Sequence, residues 1–206
     1  MDVAAEFERL LVCPHDLLPL SFCDGGLLCE GCGRSYPRQE GVIHFITSER
    51  DRPRTPRLLA EDYRQHSPEC LHVDYYRKVG LQQEQTYLSN PVVKKAVDFV
   101  DDHAGIVVDL ATRSAGAYIV PTLRRLPNGA VLFATDACLP VVATWYECLR
   151  VDYADRFGFL DIDLEKRLCF SHESIDVFCA RGIANVNNGN PECLLREVRR
   201  CLKPPG

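Results

Sequence analysis

The sequence predicts an α/β protein in which a buried parallel sheet follows a small β module. Two apolar runs predict the sheet, residues 106–108 and 130–134, and they are followed by Asp109 and Asp136. Uncharged runs rich in β-branched residues suit strands that are buried on both faces. The module is predicted by short apolar runs and glycine turns within residues 1–47, where four cysteines cluster.

The first predicted sheet strand, residues 106–110, leads into a turn of small residues. Residues 118–126 then predict a helix with Pro121 near its start. In open parallel sheets, ligands bind outside the carboxyl ends of the strands. The strand–turn–helix order therefore predicts a ligand site at this turn.

The second predicted strand, residues 130–136, repeats the same order farther along the chain. Gly129 precedes it, and Asp136 closes it. In dinucleotide-binding sheets, a carboxylate at this point accepts hydrogen bonds from ribose hydroxyls. The two strands together predict a nucleoside-containing ligand.

Length and charge limit the range of functions. The chain of 206 residues can bury one medium domain and a small one. Its net charge of −5 provides no overall basic field, so nucleic-acid binding would need a local patch. No apolar run is long enough to cross a bilayer, and residues 1–11 carry acids in place of a basic leader. We therefore expect a soluble, cytoplasmic protein.

The chain holds 11 cysteines, which fall into a cluster and a scattered group. The scattered ones are Cys70, Cys138, Cys148, Cys169, Cys179, Cys193 and Cys201. Such a scatter, together with an odd total, indicates reduced and buried thiols and not a disulfide framework.

The N-terminal module has too few apolar residues for a core of its own, which predicts a structural zinc ion. Cys29-x-x-Cys32 is one half of a zinc ribbon, and Cys13-x-x-Asp16 is the expected second half. His15 or Cys23 could replace Asp16 as the fourth ligand. The alternative is a module that has lost its zinc and packs its remaining cysteines as small apolar residues.

The segments LLVCPHDLLPL and LLCEGCGRSYPRQEGVIHFI, within residues 10–46, carry a resemblance. They resemble the N-terminal zinc ribbon of some bacterial methyltransferases, including the rRNA guanine methyltransferase family. They are also similar to the small ribbon protein that activates tRNA and protein methyltransferases. In that pattern C-P-x-C precedes a hairpin, then C-x-x-C-G and an aromatic residue. Asp16 stands where the pattern has its second cysteine.

Residues 48–90 are expected to form a linker followed by a helical segment. Residues 47–60 are charged and contain two prolines, which is typical of a linker. The polar stretch after them contains Tyr75 and Tyr76, which the methyltransferase resemblance makes candidates for cofactor contacts. Residues 91–206 form the predicted main domain, which begins with a helix over 92–100.

Five motifs in this main domain resemble the class I S-adenosylmethionine-dependent methyltransferases. They are VVDLATRSAG, LFATDA, FLDIDL, the stretch LCFSHESIDVF and the final LLREVRRCLKPPG. The resemblance implies a Rossmann-like methyltransferase sheet and S-adenosylmethionine as cofactor. Carried over residue by residue, it implies a cofactor site formed by Asp109, Ala111, Arg113, Gly116, Asp136 and Asp163.

The first motif departs from the family at its glycine positions, which hold Ala111, Arg113 and Ala115 and leave Gly116. Glycine serves there because the backbone takes positive φ and approaches the ligand closely. Arg113 would either pair with the methionine carboxylate of the cofactor or fill the pocket of a decayed site. After the fourth strand, Arg181, Asn185 and Asn187 are candidates for substrate contacts, although such a loop is also typical of a simple turn.

The resemblance also implies a sheet that is short at its C-terminal side, with four of the family's seven strands. An uncovered strand edge invites pairing, so we expect a homodimer or a partner chain at this edge. Three hypotheses follow: a methyltransferase of unidentified substrate, a non-catalytic scaffold of the same fold, or an RNA-binding module. The last would rely on the arginines of residues 50–64, which are interleaved with acids.

Overall fold

A computed structural model describes residues 9–103, 105–113, 118–180 and 191–204. Its centre is a sheet of eight strands in the order β1-β2-β3-β4-β7-β6-β5-β8. The strands that follow residue 105 pair in parallel, with helices between them. This arrangement confirms the predicted Rossmann-like α/β fold with a small β region in front of it.

The N-terminal β region is an antiparallel meander that ends as part of the main sheet. Its strands are β1 (Ser21–Cys23), β2 (Gly26–Leu28), β3 (Ser35–Gln39) and β4 (Val42–His44). The last of these pairs in parallel with β7 (Phe157–Asp161), with Ile43 opposite Leu160. The β region therefore covers one edge of the parallel sheet.

Three α-helices and one 3-10 helix connect the two parts of the sheet. They are α1 (Arg54–His66), the 3-10 helix (Pro68–Leu71), α2 (Val73–Ser89) and α3 (Pro91–His103). The predicted linker over residues 47–60 is wrong from residue 54 onward. Pro53 and Pro56 lie before and within the first turn of α1, where the helix needs no backbone donor from them.

The parallel sheet follows the predicted order of strands and helices. Its elements are β5 (Ile106–Leu110), α4 (Ile119–Arg125), β6 (Val131–Asp136), α5 (Leu139–Tyr153), β7, β8 (Val177–Ala180) and α6 (Pro191–Cys201). The motif FLDIDL, which the methyltransferase resemblance places at the third strand, spans residues 159–164, but β7 begins at Phe157 and ends at Asp161. Asp163 consequently lies beyond the end of this strand.

Two large apolar clusters cover the two faces of the sheet. One contains Trp145, Tyr76 and Phe159, which pack with residues of α2 and α5. The other contains Phe133 and Phe170 together with apolar residues of the N-terminal β region: Leu10, Leu11, Leu27 and Tyr36. The β region thus shares the core of the main sheet, which compensates for its own shortage of apolar residues.

Among the described residues, β8 is the last strand at one side of the sheet and β1 the last at the other. Leu202, just after α6, forms a parallel bridge with Ile175, just before β8. That a second chain pairs along the remaining edge stays a prediction. Among the described residues, none of the helices combines the length and apolar character that crossing a membrane requires.

Candidate functional site

Two turns of the N-terminal β region have the same backbone geometry and face each other. Leu17 N–H donates to the Cys13 carbonyl at 2.8 Å, and Gly33 N–H donates to the Cys29 carbonyl at 2.8 Å. Both Leu17 and Gly33 have positive φ, at 64° and 71°. The third residue after each cysteine is the second ligand position of a ribbon turn. Asp16 in the first turn therefore takes the place that Cys32 takes in the second.

The four side chains of these turns converge on one point. Single ligand atoms of Cys13, Asp16, Cys29 and Cys32 all lie within 4.8 Å of one another. The sulfurs of Cys13 and Cys32 are 3.6 Å apart, and the Cys29 sulfur is 3.3 Å from Asp16 Oδ2. In a tetrahedral zinc site with Zn–S bonds of about 2.3 Å, ligand atoms lie about 3.8 Å apart. The spacing matches a tetrahedral metal site.

The two alternative fourth ligands lie outside this converging group. His15 and Cys23 are both exposed and do not belong to the converging group. Burial raises the pKa of the Cys29 thiol to about 11, and the backbone N–H of Leu18 lowers the pKa of Asp16. A metal at this point would bind the thiolates, so metal binding would release protons.

The second candidate site lies at the carboxyl end of β5, where the chain turns sharply. Ala111 and Arg113 both have φ of 53°, the left-handed region that favours glycine. They occupy two of the three glycine positions of the motif. Trp145 Nε1 donates to the Arg113 carbonyl at 2.9 Å and so holds the turn in this conformation.

Asp136, at the end of β6, is hydrogen-bonded to this turn. Its Oδ2 accepts the Arg113 backbone N–H at 2.7 Å, and its Oδ1 accepts the Cys138 backbone N–H at 2.7 Å. Burial raises the pKa of this carboxyl above its ordinary value, while the two N–H donors oppose that effect. Asp136 therefore joins the ends of β5 and β6 at the predicted ligand position.

Asp109 and Asp163 take different positions. Asp109 is buried in β5, and its Oδ2 accepts the Thr112 hydroxyl at 2.8 Å, so it shapes the turn from within. Asp163 lies after β7, where its Oδ1 accepts the Glu165 backbone N–H and its Oδ2 is 3.4 Å from Lys166 Nζ. Only Asp163 of these two lines the cavity described below.

A cavity of about 50 Å³ lies between the strand ends and helix α1. On the sheet side it is lined by Ala111, Arg113, Asp136 and Asp163. On the helix side it is lined by Pro53, Thr55, Pro56 and Leu59. Four of the six residues predicted for the cofactor thus surround one cavity.

Arg52, one of the arginines of the RNA-binding hypothesis, directly precedes the cavity residue Pro53 and is bonded on several sides. Its guanidinium forms two hydrogen bonds with Asp161, at 2.6 and 2.8 Å, and a third with the Ala137 carbonyl at 2.6 Å. Asp161 Oδ2 also accepts a hydrogen bond from His44 Nδ1 at 3.0 Å. Local spacing could not reveal this pair, because its members are 109 positions apart.

The remaining candidates do not line this cavity or cannot be placed. Tyr76 is buried against Trp145 with ring centroids 4.5 Å apart, and Tyr75 packs edge-on against Tyr76. Both are therefore packing residues here. Gly116 and the proposed substrate contacts Arg181, Asn185 and Asn187 lie outside the described residues.

Comparisons with known proteins gave structural neighbours only. No protein-family model matches the sequence, and no curated protein matches it. One similar solved structure is a protein from Methanococcus maripaludis provisionally named an S-adenosyl-L-methionine-dependent methyltransferase. It has a TM-score of 0.47 and 14% identity, over 73% of this chain and 59% of that one. This chain therefore spans well under two thirds of that neighbour's length.

Two further neighbours carry related names. A SAM-dependent methyltransferase from Aquifex aeolicus has a TM-score of 0.48 and 16% identity, over 63% of this chain and 68% of that one. A methyltransferase from Geobacter sulfurreducens has a TM-score of 0.41 and 16% identity, over 61% of this chain and 65% of that one.

Proposed function

We propose that this protein binds S-adenosylmethionine at the carboxyl ends of β5, β6 and β7 and acts as a methyltransferase. The observation that carries the proposal is the position of Asp136. It closes the second strand, lines the cavity, and is tied by a 2.7 Å hydrogen bond to the Arg113 backbone in the turn after the first strand. A carboxylate at this point suits two neighbouring ribose hydroxyls.

The residues around the cavity fit such a cofactor. The positive φ of Ala111 and Arg113 gives this turn the backbone shape that glycines would give it. The Asp163 carboxylate, two residues after the end of β7, can accept a hydrogen bond from an exocyclic amine. The present cavity of about 50 Å³ is smaller than the roughly 300–1,000 Å³ of small-molecule sites, so the helix side must move to admit the ligand.

When bound, S-adenosylmethionine supplies an activated methyl group on its sulfonium. The protein's task is then to hold the cofactor and exclude water, and to orient the methyl acceptor by proximity. Asp136 and Asp163 would hold the nucleoside, and the turn at 111–113 would hold the amino-acid end. A dedicated acid or base is not required by this chemistry, and the proposed methyl acceptor is an RNA, a small molecule or a natural product.

We propose in addition that Cys13, Asp16, Cys29 and Cys32 bind one structural zinc ion. Four protein ligands leave no position for a substrate, which is typical of structural sites. The cluster lies against the shared core through Cys13 and Cys29, so the metal would stabilise the β region that completes the sheet edge.

The experiment that tests the cofactor site is calorimetric titration of the full chain with S-adenosylhomocysteine. We expect a micromolar dissociation constant and at least a tenfold loss in Asp136→Asn, because one charged acceptor of hydrogen bonds is removed. Asp152→Asn is the matched control, since Asp152 is exposed on α5. Absence of heat from folded, zinc-loaded samples of both the wild type and the site-opening variants described in the next subsection would contradict the proposal and favour a non-catalytic scaffold.

A further inference from the structure

The approach to the proposed cofactor site is closed by one segment of the chain. We call Pro53 and helix α1 together the lid. Its residues Pro53, Thr55, Pro56 and Leu59 line the cavity opposite the strand ends. Because these side chains face Asp136 and Ala111 across a space of about 50 Å³, a nucleoside and the lid cannot occupy this position together.

The start of the lid is fastened by the neighbouring Arg52. Its side chain is 4% exposed and forms a bidentate ion pair with the fully buried Asp161, at the end of β7. The same guanidinium donates to the Ala137 carbonyl after β6 and, through Nε, to Glu49 at 2.9 Å. A bidentate, charge-assisted pair is among the strongest side-chain contacts.

The rest of the lid buries little side-chain surface. Within helix α1 only Ala60 is fully buried, while Leu59 and Tyr63 pack partly against the core and Leu58 is 53% exposed. The helix has no side-chain cap at its start, and it ends at Ser67, where the backbone leaves helical geometry. A segment with little buried apolar surface opens at a low free-energy cost once its anchor is released.

We propose that Arg52 is a latch that keeps the cofactor site closed, and that the lid must swing away about Ser67 before S-adenosylmethionine binds. The inference rests on the proposed function and adds its regulation. The latched form is incompetent to bind, so the apparent dissociation constant equals the intrinsic one divided by the open fraction. Removing the latch therefore strengthens binding, which is the opposite of what loss of a ligand-contacting residue does.

The test compares three variants of the full chain with the wild type. Arg52→Met keeps the aliphatic stem and removes the ion pair. Because this leaves the Asp161 carboxylate buried without its main partner, the double variant Arg52→Met/Asp161→Asn removes that charge as well. Arg57→Met is the matched control, since Arg57 is exposed on α1 and has no ion pair among the described residues.

The first readout needs no ligand. Amide hydrogen exchange of residues 57–66 should become at least tenfold faster in both Arg52 variants and stay unchanged in Arg57→Met. Helix α2, residues 74–88, serves as the internal reference and should not change. Equal exchange of residues 57–66 in the wild type and both Arg52 variants would overturn the latch.

The second readout is the affinity for S-adenosylhomocysteine. We expect both Arg52 variants to bind at least tenfold more tightly than the wild type and Arg57→Met to bind equally. Binding in the wild type that is unchanged or weaker in both variants would overturn the latch and leave the proposed function intact. If residues 57–66 exchange fast in both Arg52 variants but neither the wild type nor any variant binds, the proposed function is overturned. The proposal that Arg52 controls access of this cofactor is then overturned as well.

Discussion

The indole N–H of Trp145 donates a 2.9 Å hydrogen bond to the carbonyl oxygen of Arg113. Trp145 is fully buried in helix α5, and Arg113 has a φ of 53° in the turn after β5. The bond therefore ties a rigid part of the core to a residue in an unfavourable backbone conformation. Tertiary contacts, and not glycine, hold this turn in shape.

Replacing Trp145 by Phe should release the turn. The phenyl ring keeps most of the packing but leaves the Arg113 carbonyl without its donor, which costs about 1–3 kcal/mol in the free energy of unfolding. We expect S-adenosylhomocysteine affinity to fall as well. Denaturant unfolding and calorimetry measure the two effects. Tyr146→Phe, which removes one polar group from the adjacent position, should change neither, and equal losses in both variants would contradict the role of the indole bond.

Replacing Ala111 by Gly should stabilise the protein, contrary to the usual effect of glycine. A left-handed conformation costs a non-glycine residue about 1–2 kcal/mol, and glycine removes much of this strain. The control is Ala143→Gly in the middle of helix α5, where we expect a loss of about 1 kcal/mol. Thermal unfolding of both variants gives the comparison. If both lose stability, then the packing of the buried Ala111 methyl outweighs the strain.

Replacing a clustered cysteine should change zinc content and thermal stability, whereas replacing a cysteine outside the cluster should not. Cys32→Ser is expected to lose bound zinc and unfold at a lower temperature, whereas Cys23→Ser should retain one zinc ion per chain, because Cys23 is exposed outside the cluster. Metal analysis of dialysed samples and thermal unfolding with and without a chelator measure this. A wild-type protein without metal and insensitive to chelator would favour the hypothesis that zinc has been lost.

Replacing Asp16 by Cys should strengthen zinc binding. Asp16 occupies the position equivalent to Cys32, so a thiolate there would complete a four-cysteine site with matched turns. We expect slower zinc loss to a competing chelator than in the wild type. Asp24→Cys adds a thiol elsewhere in the β region and should leave the rate unchanged. Faster loss in Asp16→Cys would mean that the turn is built for a carboxylate.

The stability contribution of Asp136 should depend on pH in a defined direction. Burial raises its pKa in the folded state above the ordinary value of 3.8, so the folded protein holds this proton more tightly than the unfolded chain. The contribution of Asp136 to the free energy of unfolding therefore falls as the pH rises from its pKa in the unfolded chain to its higher pKa in the folded protein. Above the folded-state pKa the contribution is constant. The difference in unfolding free energy between the wild type and Asp136→Asn should follow this course. A difference that instead grows in favour of the wild type over this interval would mean that the two N–H donors outweigh burial.

The positions of the strand-end residues were predictable, and those of the lid were not. Asp136 and Ala111 follow apolar runs, and parallel strands bring their carboxyl ends to one edge of the sheet, so local pattern alone places them together. Residues 54–66 have the charge and proline content of a linker. They nevertheless form a helix, because Leu59, Ala60 and Tyr63 pack against the core. Long-range packing here overrides composition.

The sequence by itself determined the order of strands and helices after residue 91 and the matching ligand spacing of two N-terminal turns. Both depend on short-range patterns: apolar periodicity, glycine turns and ligand spacing. Only the tertiary structure decided that β4 pairs with β7, that Asp16 rather than His15 joins the cysteines, and that Arg52 pairs with Asp161. These contacts join residues far apart in the chain, and their free energy comes from burial and pairing that exist only after folding.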